Sequence, residues 1–247
     1  MKSIKNSASL FRNILLTNFV ALSLGGAMLS SCSQKATEAD DVDYTQYVNP
    51  FIGTEGTGHT FPGACVPFGL IQTSPVTGAV GWNYCSEYIN SDKEIWGFTQ
   101  EHLNGTGCMD LGDILVMPVT ARENRENYHS TYDKTTEEAA PGYYSVLLDQ
   151  TGVKAELTAT NHVAYHRYTY NKVDSAAVLI DLQHGPAGNE KQYHSHVLAC
   201  EVNKEDDHTI SGHIKNSVWV TKDVYFVVSF SKPYTDIQDL PLAETEK

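Results

Sequence analysis

Basic residues are scarce in this sequence: 17 Lys and Arg stand against 30 Asp and Glu, for a net charge of −13. A protein that grips a phosphate backbone needs a basic footprint, and none is visible, so nucleic-acid binding is excluded as a first expectation. Cysteine is also sparse, with five in 247 residues, too few for a disulfide-dense scaffold. No stretch carries the apolar period of an amphipathic helix longer than about three turns. There is no HExxH zinc motif and no GxSxG nucleophile elbow. Gly105-Thr106-Gly107 lacks the rest of a phosphate-binding loop. No internal repeat of fixed period occurs. What is present excludes disorder for the whole chain: 41% of residues are hydrophobic and 10% aromatic. The length suffices for one large domain or two small ones with a real core.

The amino terminus has the composition of an address. Lys2, Lys5 and Arg12 are the only charges before Cys32. An apolar stretch runs from Ile14 to Leu29, interrupted by Thr17, Asn18 and Ser23. It is shorter than the roughly 20 residues of a membrane-spanning helix and fits a secretory signal. Leu29-Ser30-Ser31-Cys32 resembles a bacterial lipobox, which implies cleavage before Cys32 and lipid on its thiol. Ser33 stands where an inner-membrane retention signal would have Asp, so an outer-membrane lipoprotein is expected. Residues 32–43 then form an acidic tether with Glu38, Asp40, Asp41 and Asp43. Loss of the three early basic residues leaves 14 basic against 30 acidic, a net charge of −16. Cys65, Cys85, Cys108 and Cys200 remain, in a compartment that permits disulfides, with no pairing assignable from spacing.

The remainder reads as strands. Tyr47 to Ile52, Val66 to Ile71 and Ile114 to Val119 are short apolar runs that fit extended segments. Asn124 to Glu138 reads as a polar surface loop. Val153, Ala155, Leu157 and Ala159 alternate with polar residues, the period of a strand with one wet face. Asn161-His162 marks a hairpin turn, with Val163 to Tyr170 returning. Ala176 to Leu182 reads as a buried strand. His196 to Val202 and His208 to Ile214 flank a charged turn, and Val224 to Phe230 is rich in β-branched and aromatic residues. Many short strands with polar turns predict an all-β fold, a large β-sandwich.

Chemistry-bearing residues concentrate between Gly53 and Asp113. The run Gly53 to Gly63 is dense in glycine and contains His59. Trp82 and the segment around His102 follow. A loop tryptophan can pack on pyranose C–H groups while nearby Asn, His and Glu bond the hydroxyls. Trp82 is therefore a candidate sugar platform or a core anchor; Trp96 and Trp219 read as core. His59 and His102 either touch substrate or tie down their own loops. His194 and His196 share a strand face without a third ligand and read as structural or surface residues. Glu55, Glu87, Glu101, Asp110 and Asp113 are all available, but spacing cannot show the opposed carboxylates that a glycosidase needs.

A set of ordered segments resembles the amino-terminal part of glycoside hydrolase family 92, the exo-acting α-mannosidases. They are Val48 to Thr54, Gly58 to Ala64, Val66 to Gly69, Gly81-Trp82, Ile95 to Phe98, His102 to Gly107, Gly112 to Ile114 and Tyr225 to Pro233. Their order and spacing match as well, over roughly Tyr44 to Pro233. The resemblance implies a two-domain, calcium-dependent, inverting enzyme that removes terminal α-linked mannose from N-glycans or mannan, α-1,2-mannosidase-like. A β-sandwich domain, here 44–247, would lend loops to the substrate pocket. A helical domain would supply the acid, the base and the calcium ligands.

Trp82, His59 and His102 are then the expected substrate-binding residues, with no catalytic residue and no metal ligand carried by this chain. The expected partners are terminal α-mannosides, the helical catalytic domain and, through Cys32, a membrane. The chain stops at Lys247, so the sandwich is expected to be incomplete and inactive by itself. A mannoside-binding surface lipoprotein or a non-functional remnant are the alternatives.

Overall fold

A computed structural model describes residues 42–120, 127–171, 176–185 and 197–238. The signal segment 1–31, Cys32, nearly all of the tether 32–43, and His194 and His196 lie outside these residues. Strands dominate: β1 (Ala64–Cys65), β2 (Gln72–Val76), β3 (Glu94–Ile95), β4 (Gly97–Thr99), β5 (Leu115–Thr120), β6 (Ser130–Thr131), β7 (Glu138–Ala140), β8 (Tyr143–Leu148), β9 (Val153–Ala159), β10 (Ala164–Thr169), β11 (Ala176–Asp181), β12 (Val197–Lys204), β13 (Thr209–Ser217) and β14 (Thr221–Ser229). Helical structure among the described residues is confined to short 3-10 turns at Tyr44–Tyr47, Trp82–Tyr84 and Lys134–Thr136. The fold is all-β, and every pairing is antiparallel.

Two sheets make the core. One has the order β1-β2-β4-β5-β11, the other β10-β9-β8-β7. On β9, Val153, Ala155 and Leu157 are buried while Lys154 and Thr158 are exposed, so the alternation in the sequence sets one face inward. Tyr144, Val146, Leu148, Ala155 and Leu157 from this sheet meet Val76, Phe98, Leu115, Met117, Val119 and Leu179 from the other in one apolar cluster. Phe98 lies 6.5 Å from the Tyr144 ring and 6.4 Å from the Tyr168 ring, across the interface. The layers thus have the face-to-face packing of a sandwich.

A third sheet, β12-β13-β14, is a meander. Its centre alternates cleanly: Ile210, Gly212, Ile214 and Asn216 of β13 are buried. Gly212 opposes Phe226, whose ring lies where a glycine substituent would go, 2.2 Å from a Cβ at that position. Any larger residue there would displace the aromatic ring.

The β9–β10 hairpin, β5, β12, β13 and β14 fall where the sequence pattern puts them. Other expectations need correction. Tyr47 closes a 3-10 turn and the run to Ile52 enters further turns, with Ile52 bonding back to the Asn49 carbonyl at 3.2 Å. Val66 to Ile71 is a turn between β1 and β2; Phe68 has φ of 60° and is fully exposed. Its apolar content tracks exposed side chains, not a strand face. Within the expected loop up to Glu138, Ser130–Thr131 pairs with β3 and Tyr132 is buried. Strand β11 forms, but it lies at the sheet edge beside β5 and only Leu179 of it is buried, so it is no interior strand. Trp219 sits at the tip of the β13–β14 hairpin, 70% exposed, because Ser217 pairs with Thr221 and leaves it in the turn. Trp96 packs against the core and stacks on His129 at 4.5 Å.

Candidate functional site

The loops that precede β1 and separate β2, β4 and β5 converge at one end of the five-stranded sheet. Trp82 opens a 3-10 turn after Gly81, whose φ of 91° needs glycine. Its indole N–H donates to the Gly107 carbonyl at 3.0 Å, and half of its surface stays exposed. The His59 ring packs edge-on against it, 4.4 Å between centroids at 77°. His59 is only 7% exposed, yet neither ring nitrogen has a hydrogen-bond partner among the described residues. Its backbone oxygen accepts from the Gly105 N–H at 2.6 Å, which ties the first glycine-rich loop to the second.

His102 lies deeper. It is 2% exposed, and its Nδ1 donates to the Gln72 carbonyl at 2.8 Å. Its Nε2 lies 3.0 Å from Thr99 Oγ1 and 3.5 Å from Glu87 Oε2. Glu87 is the hub of this cluster: Thr99 donates to it at 2.9 Å and His184 Nε2 meets its other oxygen at 2.8 Å. Burial alone would raise the Glu87 carboxyl, but the His184 bond and the neighbouring imidazoles hold it below the usual range. Burial lowers His102, against the pull of Glu87. Gly112, at φ 72°, passes so close that a Cβ would sit 2.5 Å from the Glu87 carboxylate. The structure thus brings His59 against Trp82 and sets His102 behind them, holding the loop bases.

A second polar cluster borders the same loop. Lys222 of β14 bonds Asp110 at 3.0 Å and Asp113 at 2.8 Å, and Asn216 of β13 donates to Asp113. The Trp219 N–H donates to Asp110 at 3.3 Å. Burial, with the Asp113 charge adding to it, raises the Glu101 carboxyl to about 7. The loop's neck closes through Gly112 N–H to the Glu101 carbonyl at 3.0 Å. His59, Glu87, Leu111 and Ile114 all hold positive φ without being glycine, so backbone strain is concentrated here.

Glu87, Glu101, Asp110 and Asp113 are visible in the sequence as carboxylates of the Gly53–Asp113 stretch, without roles. Sequence reasoning missed His184, Asn216 and Lys222, which lie far along the chain and arrive only through sheet topology. Among the described residues no group of three or more His, Cys, Asp or Glu side chains could hold a metal ion. Asp110 and Asp113 already share the Lys222 ammonium. Two carboxylates already paired with an ammonium do not fit calcium.

A half-exposed indole on a glycine-framed loop of an antiparallel domain is compatible with stacking on a sugar ring. Residues 47–244 match the glycosyl hydrolase family 92 N-terminal domain, and the chain belongs to that family. It is similar to the family GH92 alpha-mannosidase BT3965 from Bacteroides thetaiotaomicron, with 37% identity and a TM-score of 0.69 over 77% of this chain and 26% of that one. That protein has been solved in complex with mannoimidazole. The GH92 family glycosyl hydrolase ccman5 matches at 26% identity and a TM-score of 0.62, over 75% of this chain and 26% of that one. An uncharacterized secreted glycosidase of Arthroderma benhamiae is 27% identical over 57% of this chain and 20% of its own length. The chain therefore spans about a quarter of these solved relatives and a fifth of the curated one.

Proposed function

We propose that this chain is the pocket-contributing amino-terminal domain of a calcium-dependent, inverting exo-α-mannosidase that acts on N-glycans or mannan. One observation carries the proposal within the family frame: Trp82 is exposed, yet its indole is fixed by the Gly107 carbonyl and the His59 edge. A rigid, wet tryptophan is suited to the apolar face of a terminal mannose. His59 backs the indole with its ring edge, and its two buried ring nitrogens, without a hydrogen-bond partner among the described residues, would bond a sugar hydroxyl only once the loop opened to it. His102, bonded to Gln72 and beside Glu87, acts as a positioning residue. The acid, the base and the calcium ligands would come from a helical domain outside this chain.

Calorimetry with α-1,2-mannobiose tests the reading. Binding in the micromolar-to-millimolar range that is lost in Trp82→Ala supports it. A heat unchanged by that substitution removes Trp82 from the site. The isolated chain is expected to release no mannose even with calcium; turnover would show that it holds its own acid and base. If binding persists and the chain acts alone in vivo, a mannoside-binding surface lipoprotein becomes the better description. The lipid anchor and outer-membrane location are part of the same proposal. Palmitate labelling lost in Cys32→Ala would support them, and an unlabelled native protein would refute them.

A further inference from the structure

Two cysteines flank the Trp82 bridge. Cys85 lies three residues after Trp82, at the end of the same 3-10 turn, and its thiol donates to the Trp82 carbonyl at 2.9 Å. Cys108 directly follows Gly107, whose carbonyl receives the Trp82 indole at 3.0 Å. Cys85 is buried at 1% exposure, whereas Cys108 is exposed. Both are free thiols here. Cys65 lies on β1 and Cys200 on β12, on other elements.

We propose that Cys85 and Cys108 are a redox-sensitive pair, and that a disulfide between them clasps the Gly105–Cys108 strap onto the Trp82 turn. Both cysteines are tied to one residue: Cys85 bonds the Trp82 carbonyl, and Cys108 adjoins the Gly107 carbonyl that the Trp82 indole holds. Gly105, at φ of 67°, has nothing within 4 Å of the place a Cβ would take, and it precedes Thr106, whose hydroxyl accepts from the Cys108 N–H at 3.2 Å. Burial, and then the nearby Cys108 sulfur, push the Cys85 thiol up. Cys108 is therefore the entry point and Cys85 the resolving thiol.

With a small-molecule disulfide as oxidant the balance is complete. The Cys108 thiolate attacks one sulfur of oxidised glutathione, forming a mixed disulfide and releasing one glutathione thiolate. Cys85 gives up its proton, attacks the Cys108 sulfur and expels the second glutathione thiolate. Two protein thiols are oxidised, one disulfide is reduced, and the two protons end on the two glutathione thiols. The pairing does not depend on the sugar assignment; the clasp would hold the loop whatever it binds.

The test is thiol mapping of the chain in native buffer across oxidised-to-reduced glutathione ratios, with alkylation in denaturant and mass analysis of the digest. The expected product joins the Cys85 and Cys108 peptides, two hydrogens lighter than their sum, with Cys65 and Cys200 alkylated. In Cys85→Ser, Cys108 is expected to stay as a mixed disulfide with glutathione. In Cys108→Ser, Cys85 is expected to stay a thiol under conditions that oxidise the native pair fully. An unchanged far-ultraviolet dichroism spectrum keeps each variant interpretable. Cys85 alkylated at every ratio in the native chain, or Cys108 joined to Cys65 or Cys200, would overturn the proposal.

Discussion

The two-sheet core and the β12–β14 meander are built from the same residue types but held by different physics. Between the sheets the cohesion is apolar: Phe98, Leu115, Met117, Tyr144, Leu148 and Leu157 are all sealed from water. In the meander, Leu198, Val202, Tyr225 and Val227 are exposed. Its attachment to the site loop runs through Asp110, Asp113, Asn216 and Lys222. Apolar packing is indifferent to pH and intolerant of lost volume, whereas a polar bridge depends on the charge state of each member. The candidate site hangs between these two regimes, with Glu87 anchored at the core side and Asp113 at the meander side.

That contrast can be broken most forcefully at Phe98. Phe98→Ala removes the ring shared by both sheets and should cost about 3–5 kcal/mol in urea unfolding. A loss under about 1 kcal/mol would mean the sheets are not packed as described. Next comes Asp113→Ala, which strips Lys222 and Asn216 of their shared partner. It should cost roughly 2–3 kcal/mol and raise hydrogen exchange in β13 and β14 more than in β8 and β9. Uniform exchange across all four strands would erase the distinction between the two regions.

A pH series sharpens it further. Glu101, raised from the ordinary 4.5 to about 7, is held protonated in the folded chain. Between these values the native state binds more protons than the unfolded one, so stability falls as pH rises through that window. Buried His129 and His166, lowered to about 4 by burial, contribute with the opposite sign, so the test is the difference: between pH 5 and pH 7.5 the melting temperature of Glu101→Gln should rise more steeply, or fall less, than that of the native chain. An identical slope in the variant would remove Glu101 from the linkage. The smallest effect is expected at Trp219→Ala: an exposed hairpin tip should change stability by less than about 0.5 kcal/mol. A larger loss would mean the indole is buried after all.

Much of the architecture was legible in the chain. The alternation over Val153 to Ala159 set the inward face of β9, because a period of two leaves no other register. The glycine-rich segments around His59 and Gly107 marked the site loops, since backbone with positive φ or close approach selects glycine. Composition misled where an apolar run was short. Val66 to Ile71 and Trp219 carry apolar side chains on turns, and hydrophobicity without period cannot tell a turn from a strand.

The partners in the site were a different matter. Glu87, His102 and His184 meet only because β4, β5 and β11 lie side by side, and no local spacing brings residue 184 to residue 87. Lys222 reaches Asp113 for the same kind of reason, through a sheet whose place is a long-range outcome. Local pattern specifies strand faces, loop conformations and the exposed tryptophan's neighbourhood, because those obey dihedral preference and side-chain period. Which charges become buried together, and so which carboxyl is held ionised at Glu87 and which is held protonated at Glu101, depends on long-range packing. Burial and Coulomb interaction act through space and not along the chain.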